Sequence, residues 1–189
     1  MPTSYQPSNF AAKLALSLLM ILLTLPLLSV ASAEADTTKN HSSYTHNLDN
    51  ALVDANNNSV DLERLSNKKY LFVYFSAHWC GPCRAFSPEL VKFYKDNFKN
   101  GDFEILFVSI DRDEDAMLNY MKELKMQWPA IKFGHKYGRE LRIKYGIGGI
   151  PSLILLNEND DILASSFENG KYLGSHRALS TYKTLQKQK

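Results

Sequence analysis

Cysteine is almost absent: 189 residues hold two, Cys80 and Cys83, separated by Gly81 and Pro82. A large excess of one sign of charge is missing too. Lys and Arg number 22 against 20 Asp and Glu, a net +2. Neither a basic patch nor a long acidic run interrupts that balance, so nothing argues for nucleic acid as a partner or for a solvating acidic tail. The chain contains no internal repeat. Its one dense charge cluster, Asp111-Arg-Asp-Glu-Asp115, lacks the glycine and closing glutamate of an EF-hand and reads as a solvated strand-to-helix turn.

Charge is also scarce at the start. Lys13 is the only charged side chain before Glu34, and residues 14–28 are apolar except for Ser17 and Thr24, with Pro26 near their end. Ala31-Ser32-Ala33 then offers a small-residue cleavage site, so residues 1–33 read as a signal peptide and the product as exported, to a periplasm or the outside. An uncleaved anchor is the competing reading, but the apolar core falls short of the ~20 residues a spanning helix needs. No cysteine lies near the cleavage site, which excludes a lipoprotein anchor. Residues 34–47 are polar and without period, a flexible linker. Residues 48–189 are then one domain with a substantial core. In an oxidising compartment a domain stapled by disulfides would use more than two cysteines, so their scarcity favours a chemical use.

Three uses fit two cysteines at this spacing. A structural disulfide closing so small a loop removes little chain entropy. Half a zinc site needs two more ligands. Of the five histidines only His41 and His46 come near ligand spacing, in the polar stretch far from the cysteines, so no metal is expected. The third use is dithiol–disulfide exchange. Residues 70–75 are apolar and aromatic, with strand character, while Phe86, Leu90, Tyr94 and Phe98 recur at helical period. Both sulfurs therefore stand where a strand ends and a helix begins. Unpaired N–H groups and the helix dipole favour a thiolate there. Gly81 allows close backbone approach, and Pro82 gives up an N–H that has no helical partner. This coincidence favours exchange. No nicotinamide or flavin fingerprint is present, so the expected cofactor is none beyond the redox-active Cys80–Cys83 disulfide, and the electron donor is another protein.

Trp79-Cys80-Gly81-Pro82-Cys83-Arg84 resembles the active-site signature of the thioredoxin superfamily. Pro88 stands like the proline of that family's active-site helix, and Gly149-Ile150-Pro151-Ser152 resembles the segment carrying its cis-proline. The context Tyr74-Phe-Ser-Ala-His-Trp79, with Tyr145-Gly-Ile-Gly-Gly-Ile-Pro151, is most similar to the tryparedoxin and nucleoredoxin branch. The resemblance implies Cys80 as the better exposed nucleophile and Cys83 as the resolving thiol. It implies a cis Ile150–Pro151 bond opposite them, and substrate contacts from Trp79, Gly81, Pro82, Ile150 and Pro151. His78 beside the thiolate would lower its pKa when protonated, and Arg84 would face outward and add positive potential. Where thioredoxins proper carry a buried aspartate, this chain has Tyr74. The proton acceptor for Cys83 is thus open among Tyr74, a water and Asp111.

Along the rest of the chain, residues 51–53 and 59–61 flank Asp54-Ala-Asn-Asn-Asn58 and suggest a short hairpin. Residues 103–110 read as a buried parallel strand, and Met117, Tyr120, Met121 and Leu124 as one helix face. Residues 128–133 read as extended, 139–145 as a helix ending at Gly146, 153–156 and 162–166 as a hairpin, and a last helix buries Leu179, Tyr182 and Leu185. This order implies an α/β, three-layer α/β/α domain with a central mixed sheet. The resemblance makes it thioredoxin-like, with a central insertion between Cys83 and Pro151. The expected function is thiol–disulfide oxidoreduction on protein substrates by a monomer. Two alternatives are a dedicated reductant in cytochrome c maturation and a non-catalytic binding module of the same fold.

Overall fold

The computed structural model describes Leu48 and residues 50–188. The expected signal peptide (1–33) and linker (34–47), with His41 and His46, lie outside the described residues. Three long strands form the middle of the sheet: β2 (Tyr70–Ser76), β3 (Phe103–Ser109) and β5 (Ser152–Asn157). Almost every side chain on them is buried, which explains sequences that run apolar instead of alternating. β2 and β3 are parallel, from Tyr70 opposite Phe103 to Ser76 opposite Ser109. β5 runs antiparallel on β2's other side and sets Ser152 beside Phe75. With β1 (Leu52–Val53), β4 (Ala130–Ile131) and β6 (Ile162–Ser165) the sheet is six-stranded and mixed, in the order β1-β4-β3-β2-β5-β6.

Period-two geometry sends alternate residues to opposite faces. Phe72, Tyr74, Ile105 and Phe107 pack under helices α2 (Gly81–Asn97), α3 (Glu114–Glu123) and α5 (His176–Lys187). Leu71, Val73, Phe75, Leu106 and Val108 pack under α1 (Glu63–Ser66) and α4 (Lys136–Lys144). The result is the α/β/α three-layer arrangement, with α3, β4 and α4 filling the span between the middle strands. Among the described residues no helix is long and apolar enough to cross a membrane.

Three local features differ from the sequence reading. The hairpin expected over 51–61 shrinks to one bridge, Val53 to Ser59. β1's ladder partner is β4, antiparallel, with Leu52 opposite Ile131. The turn itself holds, because the Asp54 carboxylate accepts the N–H groups of Asn56 and Asn58 at 2.8 and 2.9 Å. Glu104, a charged residue within the otherwise apolar run 103–108, is fully buried inside β3, where the Arg64 guanidinium meets it at 2.9 Å. Finally a small antiparallel pair, β7 (Phe167–Glu168) and β8 (Lys171–Tyr172), turns on Asn169 and Gly170, both at positive φ. That Asn-Gly dipeptide is a strong hairpin signal.

Candidate active site

Cys80 is the N-cap of α2, in extended backbone, and Gly81 and Pro82 open the helix. The two cysteines are joined as a disulfide, with their Cα atoms 5.2 Å apart. The Cys83 backbone N–H donates to the Cys80 sulfur at 3.2 Å. The first turn of α2 contains no acidic side chain to oppose a thiolate. Both cysteines are largely buried, Cys80 at 6 % exposure and Cys83 at 0 %, while Gly81 and Pro82 between them are exposed.

The antiparallel register of β5 brings a distant loop to the same end of the sheet. Ile150–Pro151 is a cis peptide, and the Ile150 carbonyl oxygen lies 3.7 Å from the Cys80 sulfur. Ile150 and Ile110 pack on the small cluster of Ala77, Cys80 and Cys83. Pro151 is buried, and its carbonyl accepts from the Ser175 hydroxyl at 3.0 Å. Ser175 is in turn 3.2 Å from Ser166, whose hydroxyl accepts the Leu153 N–H at 2.8 Å. The Phe167 ring lies over Gly148 and Gly149, so that a Cβ at Gly148 would stand 3.4 Å from it. The serines and Phe167 thus hold the proline loop from behind.

Trp79 is 55 % exposed, and its indole N–H donates to the Ile110 carbonyl at 3.3 Å. His78 donates its backbone N–H to Asp111 at 2.8 Å, while its ring meets Glu123 at 3.5 Å and the edge of Tyr120. Asp111 also accepts from the Ser109 hydroxyl at 2.8 Å. Arg84 does not present a free charge: it is bound by both oxygens of Glu123, at 3.2 and 2.5 Å. That bond holds the Glu123 carboxyl below, and the Arg84 guanidinium above, their ordinary ranges.

Tyr74 occupies the aspartate position, and it is part of a chain of hydroxyls. Its phenol is 2.7 Å from Ser87, Ser87 is 2.6 Å from Tyr120, and Tyr120 is 3.0 Å from Ser76. Burial pushes the Tyr74 phenol well above its usual value, and the neighbouring Tyr120 adds to this. A buried phenol that keeps its proton is poorly suited to accept one from Cys83. Ser87 sits four residues after Cys83, on the same helix face, and only that spacing could have pointed to it in the sequence. Among the described residues no group of His, Cys, Asp and Glu is placed to hold a metal ion.

A family model described as thioredoxin-like matches residues 67–162, half of the chain, spanning both cysteines and Pro151. The chain belongs to the thioredoxin-like family. Nucleoredoxin from Bos taurus is 40 % identical over 114 residues, 59 % of this chain and 26 % of that protein. Across the nucleoredoxins it resembles, the chain spans only 15–26 % of their length. Among solved structures, thioredoxin from Wuchereria bancrofti shares 35 % identity at a TM-score of 0.58, covering 71 % of this chain and 94 % of that one. Tryparedoxin I from Leishmania major shares 34 % at 0.59, covering 75 % and 92 %. The mixed sheet and flanking helices are thus the thioredoxin-like fold, and Cys80–Cys83 is its redox-active disulfide.

Proposed function

We propose that the chain reduces disulfides in other proteins, with Cys80 as the attacking and Cys83 as the resolving thiol. The observation that carries this reading is the Cys83 N–H on the Cys80 sulfur at the start of α2. It gives Cys80 a donor that favours its thiolate, and the helix dipole acts in the same sense. The Cys80 thiolate attacks one sulfur of the substrate disulfide, joins it and expels the other as a thiolate. Cys83 then attacks the Cys80 sulfur, closes Cys80–Cys83 and releases the second substrate thiol. Two electrons leave the dithiol, and a protein donor returns them. An extended substrate strand would lie along Ile150 and Pro151, with Trp79, Gly81 and Pro82 on its other side.

Substituting Cys83→Ser removes the resolving step, so substrate should stay on Cys80 as a mixed disulfide, visible on non-reducing gels and lost with dithiothreitol. Cys80→Ser should hold nothing. Equal trapping by the two variants, or no insulin reduction by the unaltered protein, would overturn the assignment.

A further inference from the structure

β3 and β4 are parallel neighbours, paired at Phe107 and Ala130. The chain leaves them in opposite directions: α3 packs on one face of the sheet, α4 on the other. Between two such strands a crevice opens at their carboxyl ends, the place where open α/β sheets bind ligands. A cleft of about 310 Å³ lies there. Ile110 and Asp111 line it from the end of β3, Lys132 and His135 from the end of β4, and Arg139 and Arg142 from α4. Arg139 and Arg142 also line a second hollow, with Ile143, Gly146 and Ile147. Gly146 and Ile147 begin the loop that ends at Pro151.

The charges in this cleft are unbalanced. Lys132, Arg139 and Arg142 bring three positive charges, and no carboxylate pairs with any of them among the described residues. The one acid, Asp111, is occupied by the His78 N–H and the Ser109 hydroxyl. The two arginines are three residues apart on a helix, hence on one side, and a guanidinium pair suits planar carboxylates. Ile110 is the shared wall: it lines the cleft, packs on the cysteine cluster and accepts the Trp79 indole N–H. Whatever fills the cleft therefore lies next to whatever sits on Cys80.

Resting on the proposed disulfide reduction, we infer that this cleft selects substrates, taking an aspartate or glutamate of the protein whose disulfide lies on Cys80. Substrates with acidic residues near the reactive cysteine are then bound at two points, sulfur and carboxylate, and basic ones are repelled.

The test uses extended peptides with one cysteine activated as an uncharged 2-pyridyl disulfide, flanked by glutamates or by lysines. Cys80 attacks the peptide sulfur and pyridine-2-thione leaves, which is read by its absorbance. Cys83 then frees the peptide thiol, so the dithiol loses two electrons and the probe disulfide gains them. At low salt the glutamate peptide should react about tenfold faster than the lysine peptide, and the ratio should fall towards one as salt rises. In the Arg139→Gln/Arg142→Gln double variant, checked for an unchanged far-ultraviolet spectrum, the ratio should collapse to about two or less. Equal rates in the unaltered protein, or a ratio the double variant does not lower, would overturn the inference. So would citrate slowing both peptides alike with no preference between them, since that marks a site for small free anions. Insulin reduction, run alongside, separates the two readings: if it persists while the peptides react equally, only the cleft assignment falls.

Discussion

At the scale of single residues, the hydroxyl chain Tyr74–Ser87–Tyr120–Ser76 occupies ground where a carboxylate would have titrated. Ser87 is its middle member, fully buried on the face of α2 that carries Cys83. Removing that oxygen takes away the 2.7 Å partner of the buried Tyr74 phenol and leaves Tyr120 with Ser76 alone. Ser87→Ala should therefore cost about 1–3 kcal/mol, the usual penalty for an orphaned buried polar group. Adding Tyr74→Phe takes away the hydroxyl that lost its partner. The double variant should then be less destabilised than the sum of the two single ones, because the groups share one network. Urea unfolding of the four proteins measures the cycle; strict additivity would mean that the hydroxyls act independently.

At the scale of elements, Gly146 ends α4 with φ at +58° and has open space where a Cβ would stand. Gly146→Ala should thus cost about 1–2 kcal/mol from backbone conformation alone, and Gly146→Asn clearly less, since Asn tolerates the left-handed region. Equal losses for Ala and Asn in thermal melts would point instead to packing. The same element shows why some of the chain was readable. The end of α4 at Gly146, the helical period after Cys83 and the apolar runs of β2, β3 and β5 are local signals, written within a few residues. β1 and β4 are two residues each, and their pairing is decided by strands some eighty positions apart, which no local pattern records. Arg64 and Glu104 were hidden in the same way: each reads as an ordinary charge until the fold joins them. At the site the sulfurs and Pro151 stood out by motif. The hydroxyl chain and the Arg84–Glu123 bond did not, because Ser, Tyr and Glu occur everywhere and only contact gives these ones meaning.

For the molecule as a whole, ten tyrosines give a pH limit. Burial raises the phenols of Tyr74, Tyr94 and Tyr145, helped in the last two by the carboxylates of Glu104 and Asp160. In the unfolded chain these phenols ionise near pH 10, whereas in the fold they keep their protons. Above pH ~10 the unfolded state binds fewer protons than the native one, so stability falls as pH rises and is fully present below that point. Alkaline titration should show at least these three tyrosinates appearing together with the loss of far-ultraviolet dichroism. A smooth titration of all ten with dichroism intact would contradict the burial argument.

The contact between Cys80 and Ile150 spans 70 residues of chain. A ribosome adds roughly 5–20 residues per second, so roughly 4–14 s of synthesis separate the two halves of the site. Within that interval both cysteines are made, and β2 can pair with β3 once residue 109 has been added, but β5 and the proline loop do not yet exist. The sulfurs come under that loop only when the last middle strand docks, so closure of the middle of the sheet and completion of the redox centre are one event in time, with β6 still to be added at the edge.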